Sequence, residues 1–83
     1  MAEPVKTFRS SGGLQVYVWK NVTQKGDKPI EFHTVSFARG YKDKNNEWAS
    51  TTNLREQDIP KMKMLLQKAF EFMVMRRDDE HRN

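Results

Sequence analysis

Aromatic and basic side chains are interleaved along the first half of this 83-residue chain. Tyr17 and Trp19 stand at alternate positions in the stretch LQVYVWKNV, which also contains Lys20, and Trp48 follows Lys42 after a short polar segment. Aromatic rings stack on exposed nucleobases, and lysine or arginine side chains neutralise the phosphates between them. Because stacking requires unpaired bases, this combination of residues predicts a surface for single-stranded nucleic acid.

The excess positive charge lies in the part of the chain that carries these aromatic residues. The net charge is +4, and the isoelectric point is about 9.6. Residues 1–55 hold nine Lys or Arg residues and five acidic ones, whereas residues 56–83 hold six of each. A one-sided basic field is typical of proteins that bind polyanions. A solvated basic surface that favours solubility is an alternative interpretation of the charge.

No residue pattern for enzymatic chemistry is found in the sequence. His33 and His81 are too far apart to form a metal-ligand pair by spacing, and the chain has no cysteine. The acidic run DDE near residue 80 is interpreted as a solvated helix end. A glycine-rich phosphate loop and a nucleophile motif are both missing from the sequence. We therefore expect a non-enzymatic protein without catalytic residues, metal, cofactor or small-molecule substrate.

The elements that must position the aromatic side chains are strands. Alternation and β-branched residues predict strands at about 5–10, 14–22, 30–42 and 47–54. The segments TQKGDKP and DKNNE separate the later strands, and Asn45 and Asn46 can adopt the positive φ that a tight turn requires. Gly40 indicates a bulge or a close backbone approach within the predicted strand at 30–42.

One long helix is predicted at about 58–76, with Asp58 as a candidate N-cap and Pro60 in the first turn. Its apolar arc is wider than packing on a sheet requires. We expect the excess to be buried in a two-fold homodimer. The predicted dimer residues are Leu65, Phe70, Phe72 and Met73. A monomer that buries these side chains under its own sheet is the alternative.

This order of elements predicts a single α+β domain over residues 1–83, with flexible ends at 1–4 and 77–83. The domain is expected to consist of a curved antiparallel sheet of three to four strands, followed by one long C-terminal helix. The helix is expected to cover the side of Leu14, Val16 and Val18, which leaves Tyr17 and Trp19 on the open side.

The stretch ARGYKDKNNEWASTTNLREQDIPKMKML resembles the positive cofactor four family of transcriptional coactivators and its compact prokaryotic relatives. An Arg is followed shortly by a Tyr at the end of a strand, and an Asp and a turn with Asn-Glu come next. A Leu, a polar helix start and an amphipathic helix complete the likeness. The stretch FRSSGGLQVYVWKN is similar to the family's first, bent strand with its basic lead-in, so the resemblance covers roughly residues 6–73.

The resemblance implies a four-stranded curved sheet with a C-terminal helix, dimerisation through the helix and sheet edge, and binding of single-stranded DNA with little sequence preference. The predicted nucleic-acid-binding residues are Lys6, Arg9, Tyr17, Trp19, Lys20, Arg39, Lys42, Lys44 and Trp48. Arg39 shares the parity of Val35 and Phe37, so it can reach the open side only if a bulge near Gly40 rotates it outward.

Two other interpretations of the aromatic and basic face stay open. A small dimeric interaction module could dock an acidic partner protein on it, with the aromatic residues as interface or as cross-strand pairs. A binder of duplex nucleic acid could lay a strand pair in a groove. DNA and RNA are not distinguished, and neither are transcription, replication and repair.

The sequence also suggests a compartment. It has no apolar run of about 20 residues, which a membrane-spanning helix would need. The start MAEPVKTFRSSGG lacks the apolar centre of a secretory signal, and the chain has no cysteine to form a disulfide. We expect an intracellular protein in the cytoplasm or nucleoid, or in the nucleus of a eukaryotic cell, without a membrane partner.

Overall fold

The computed structural model describes residues 3–81, and side chains are described for residues 3–75. The strands are β1 (Lys6–Ser10), β2 (Leu14–Lys25), β3 (Lys28–Lys42) and β4 (Trp48–Thr51). A short 3-10 turn (Glu56–Asp58) leads directly into the helix α1 (Ile59–His81). The strands form one antiparallel sheet in the order β1-β2-β3-β4, which confirms the predicted α+β fold.

The hairpin of β2 and β3 is longer than predicted. Lys25 pairs with Lys28, so the segment interpreted as a loop is mostly strand, and only Gly26 and Asp27 form the turn. Gly26 has φ +66°, a value that glycine adopts without steric cost and that a two-residue hairpin turn requires. The end of this hairpin therefore extends beyond the part of the sheet that β1 and β4 flank.

The turn between β3 and β4 is organised by Asp43. Its side chain accepts hydrogen bonds from the backbone N–H groups of Asn45 (2.9 Å) and Glu47 (3.0 Å). Asn46 has φ +62°, as the sequence suggests, but Asn45 does not have a positive φ. β4 begins at Trp48 and ends at Thr51, three residues before the predicted end at 54. These bonds fix the register that places Trp48 opposite Lys42.

The core lies between one side of the sheet and α1. Leu14, Val16 and Val18 of β2 are fully buried there, as predicted, because the strand alternates apolar and polar residues. Each such side chain stabilises the fold by about 1.5–3 kcal/mol. From α1 the core receives Met62, Leu65 and Ala69, and Phe8, Phe37, Leu54, Phe72 and Met73 pack around it. We call this side of the sheet the helix face.

The start of the helix differs from the prediction. Asp58 is not the N-cap of α1 but the last residue of the 3-10 turn, where its carboxylate accepts the backbone N–H of Arg55 at 2.9 Å. The guanidinium of Arg55 also donates to it at 3.2 and 3.3 Å, and Arg39 Nε lies 3.4 Å away. The hydrogen bonds from Arg55 hold the pKa of Asp58 below its usual value, with the nearby Arg55 and Arg39 charges assisting and burial opposing. The resulting ion-pair cluster fastens the start of α1 to β3.

The predicted dimer residues are not all at the surface. Leu65 is only 2% exposed and belongs to the core of the protomer, so the prediction that it contacts a second copy is wrong. Phe72 and Met73 pack against the same core, and the Phe72 ring lies 6.2 Å from that of Phe8. Phe70 alone of the predicted set is largely exposed, at 57%. The helical periodicity of the sequence predicted how wide the apolar arc of α1 is, but not which edge of that arc packs against the sheet.

The end of α1 also differs from the prediction. α1 continues to His81, beyond the predicted end at 76, so most of the predicted flexible segment 77–83 is helical. Residues 1, 2, 82 and 83 lie outside the described residues. Within the described part, α1 is the one long helix, and it is not apolar over a sufficient length to cross a membrane.

Candidate nucleic-acid interface

The side of the sheet away from α1 carries the aromatic residues that the sequence singled out. We call it the open face, and the strand register defines its members as the side chains that alternate with those of the helix face. They are Thr7, Arg9, Gln15, Tyr17, Trp19, Asn21, Thr23, Lys25, Lys28, Ile30, Phe32, Thr34, Ser36, Ala38, Gly40, Lys42, Trp48 and Ser50. Every charged residue in this set is basic.

The centre of the open face is formed by Tyr17 and Trp19 on β2. Their ring centroids are 6.1 Å apart and their planes are inclined by 42°. The indole N–H of Trp19 donates to Ser36 Oγ at 2.8 Å, and the Tyr17 hydroxyl donates to the side-chain oxygen of Gln15. These bonds hold both rings in place over the strands, half-exposed to solvent. The arrangement is that of a fixed platform rather than of freely rotating side chains.

The polar groups beside the rings are also paired with each other. Asn21 donates its amide hydrogen to Thr34 Oγ1 at 3.0 Å, one residue pair beyond Trp19. Base edges are recognised through donors and acceptors that the protein leaves free. The indole N–H of Trp19 and the amide nitrogen of Asn21 already have acceptors, so the centre of the open face offers mainly ring surface to a base.

Trp48 forms a second aromatic position at the β4 edge of the sheet. It is 73% exposed, and Lys42, its direct cross-strand neighbour, places Nζ 5.4 Å from the ring centroid. Gly40 has no side chain, and this leaves open space beside the indole. A Cβ added at Gly40 would stand 4.0 Å from the nearest indole carbon. Trp48 therefore presents an exposed aromatic surface with a cation beside it.

The structure adds residues to this face that the sequence analysis missed. Phe32 is 44% exposed and Ile30 is exposed as well, and both lie on the open face of the long hairpin. Lys25 and Lys28 lie at its end. Phe32 shares the parity of Thr34 and Ser36, so the strand pattern itself could have identified it. The lysines were missed because the segment around Gly26 was interpreted as a loop.

Three predicted contacts do not lie on the open face. Lys6 is paired with Val18 on the helix face, and its Nζ lies 5.6 Å from the Phe8 ring centroid. Lys20 is also on the helix face, where it forms an ion pair with Glu31 at 3.0 Å. Adjacent strand residues point to opposite sides of a sheet, so Lys20 cannot share a face with Trp19.

Arg39 is the third of these residues. The β3 pairing continues without a bulge on either side of Gly40, so Arg39 stays on the helix face. There it lies 3.4 Å from the Asp58 carboxylate and donates from Nε to the Asn53 carbonyl at 3.1 Å. It holds the chain between β4 and α1 in place. The placement corrects the expectation that a bulge turns this side chain outward.

The remaining predicted residues are brought together only in part. Arg9, Tyr17, Trp19, Lys42 and Trp48 share the open face. Lys44 is exposed in the turn after β3, outside the paired strands. In the described part of the chain, His and acidic residues form no group of three or more that could hold a metal ion.

Comparison with known proteins adds no relative to this description. No family model matches the chain, and no curated protein or solved structure matches it significantly.

Proposed function

We propose that this protein binds single-stranded nucleic acid, in the first place single-stranded DNA, along the open face, without enzymatic activity and with little overall sequence preference. The observation that carries the proposal is the coincidence of four exposed or half-exposed aromatic side chains with a face whose charged members are all basic. The rings are those of Tyr17, Trp19, Phe32 and Trp48. The resemblance to the positive cofactor four family agrees with this function.

The half-exposed rings of this face favour a single strand over a duplex. Bases that are free of a partner strand can lie against the half-exposed rings of Tyr17 and Trp19, whereas a duplex keeps its bases stacked on one another. Each stacked base contributes about 1–3 kcal/mol. Arg9 and Lys42 share the open face with these rings, and Lys25 and Lys28 lie farther along the same face at the end of the hairpin, so a strand that follows the face can have its phosphates neutralised at both places.

The function is tested by parallel titrations with oligo-dT of about 15–20 nucleotides, a duplex of equal length and an RNA strand, read by tryptophan fluorescence at fixed salt. We expect quenching by the single strand and at least about tenfold weaker competition by the duplex. Equal affinity for both would favour a duplex binder. Failure to bind any of them at low salt would refute the proposal and favour the interaction module.

We further propose that the protein acts as a homodimer. The apolar residues Ile59, Leu66 and Phe70, which we call the outer flank, lie exposed on α1. A groove lined by Leu54, Met62 and the first two flank residues adjoins them. On the helix face, Val35 and Tyr41 are also exposed.

A second copy is the occupant that fits this surface best. The groove and the flank are continuous along one side of α1, so a two-fold axis beside the helix would bring two identical apolar surfaces together. Lys63 is the charged residue among those that line the groove, and it stands at the rim with a long stem that can extend toward solvent. Sedimentation equilibrium tests the proposal, and a stable monomer at micromolar concentration would refute it.

A further inference from the structure

Beside Trp48 the open face contains a depression that differs from the aromatic centre. We call it the slot, and it is lined by Gln15, Gly40, Trp48, Ala49 and Ser50. It exists because Gly40 has no side chain and because its neighbours across the sheet are small. One wall is the indole of Trp48, the most exposed of the large apolar side chains among the described residues.

Two polar groups of the slot, the Gln15 amide nitrogen and the Ser50 hydroxyl, have no hydrogen-bond partner among the described residues. The side-chain oxygen of Gln15 accepts the Tyr17 hydroxyl, which leaves the amide nitrogen of Gln15 without a hydrogen-bond partner among the described residues. The hydroxyl of Ser50 also makes no hydrogen bond within that part of the chain. The polar side chains around Trp19 and Asn21, in contrast, are paired with each other. The free Gln15 amide nitrogen therefore lies beside Trp48, whereas the indole N–H of Trp19 and the amide nitrogen of Asn21 at the centre each have an acceptor.

We propose that the slot binds one nucleobase against Trp48 and reads its edge, with Gln15 as the specificity-determining residue. This inference rests on the proposed function. The Tyr17 hydroxyl uses one lone pair of the Gln15 oxygen, whereas both N–H donors of the amide are unused, so the side chain favours a base with an acceptor at the contacted position. A 4-keto pyrimidine, uracil or thymine, carries an oxygen there, whereas cytosine carries an amino group.

The discrimination is measured with two oligomers of about 15 nucleotides, one of deoxyuridine and one of deoxycytidine. Their rings have the same size and neither carries a methyl group, so they differ in the donor and acceptor pattern of one edge. In a homopolymer every register places the same base in the slot. We expect the deoxyuridine oligomer to bind at least about fivefold more tightly.

The diagnostic variant is Gln15→Glu. A carboxylate still accepts the Tyr17 hydroxyl, but it replaces the free N–H donors with an acceptor that suits the amino group of cytosine. The preference should disappear or reverse. Asn21→Asp is the matched control because it adds the same charge on the same strand and face, away from the slot. It should weaken both oligomers equally and leave their ratio unchanged.

A second variant tests the slot itself. Gly40 lies in extended backbone, and the nearest atom to an added Cβ, the Gly13 carbonyl oxygen, is 3.7 Å away. A Cβ at this position therefore meets no clash, and Gly40→Val, whose methyl groups would occupy the space of the slot, should bring the affinity ratio close to one while binding persists. Thermal melting of each variant shows that it is folded.

The outcomes separate the two proposals. Equal affinity of the unmutated protein for the two oligomers, or an unchanged preference in Gln15→Glu, would overturn the slot and leave the proposed function intact. Failure of both oligomers to bind would overturn the proposed function, and the slot with it.

Discussion

Trp19→Ala separates a ligand-binding role of the indole from a role in folding. The side chain makes a tilted ring contact with Tyr17 at 6.1 Å and a hydrogen bond to Ser36 at 2.8 Å, and it is not part of the core. Loss of an aromatic pair costs about 0.5–1.5 kcal/mol, and loss of a solvent-exposed hydrogen bond costs about 0.5 kcal/mol. The sum, about 1–2 kcal/mol, corresponds to a decrease in Tm of roughly 4–16 °C in a domain of this size. The variant should remain folded at room temperature.

Trp19→Ala is expected to weaken binding of the single strand as well as to lower the stability. Removing one stacking surface costs about 1–3 kcal/mol, which is roughly a 5- to 150-fold loss of affinity for oligo-dT. Fluorescence anisotropy of a labelled oligomer at fixed salt measures this loss, and thermal melting followed by circular dichroism measures the stability of the same sample.

The control is Val18→Ala, the neighbouring residue on the opposite face. Val18 is fully buried, so its truncation should lower the free energy of unfolding without changing the affinity for oligo-dT while the protein is folded. Two results for Trp19→Ala would refute the reasoning. Unchanged affinity would show that the indole is not a platform, and a loss of about 3–5 kcal/mol in stability would show that it behaves as a core residue.

The remaining predictions concern contacts that support the fold and the proposed dimer. The folded protein holds the pKa of Asp58 below its usual value of about 3.9, so the carboxylate stabilises the fold above about pH 4 and ceases to do so as the pH falls through the lower, folded pKa. In urea unfolding, the Asp58→Asn variant should have a lower free energy of unfolding than the unmutated protein at pH 7. Its free energy of unfolding should also fall less on acidification, and parallel pH profiles for the two proteins would contradict this. Gly13→Ala should lower Tm strongly, because φ is +78° and the Cβ would stand 2.5 Å from the Gly40 carbonyl oxygen, whereas Gly40→Ala should be tolerated; equal melting would contradict the close approach of these strands. Phe70→Asp should yield a folded monomer by sedimentation, whereas Phe72→Asp should strongly destabilise the protomer, since it removes a partly buried ring that packs against the core and places a carboxylate there. A dimer in the Phe70 variant would place the interface elsewhere.

Local sequence patterns were sufficient to predict the fold and the two faces of β2. Alternation of Leu14, Val16 and Val18 with Tyr17 and Trp19 specifies which residues share a side, because the side-chain period of a strand is two. The same parity placed Arg39 on the helix face. The ion pair that Arg39 forms there with Asp58 could not be predicted locally, because it joins residues that are distant in sequence and are brought together by the chain reversal after β4.

Other features depend on tertiary packing that the sequence does not specify locally. The helical period shows that Leu65, Leu66 and Phe70 are apolar positions, but the place where α1 lies on the sheet decides that Leu65 is buried and that the other two are exposed. The slot beside Trp48 results from pairing across β3 and β4. The turn signals of Gly26, Asp27 and Pro29 concealed the length of the hairpin, and Lys25 and Lys28 were overlooked with it.

The most direct test of the open face is a titration of isotopically labelled protein with oligo-dT, followed by two-dimensional amide NMR. The chain has two tryptophans, both on the open face, so two indole N–H signals report on it. We predict that both indole signals and the backbone amides of β2 and β3 shift on binding, while the amides in the middle of α1 do not. Shifts confined to α1, with the two indole signals unchanged, would contradict the central claim.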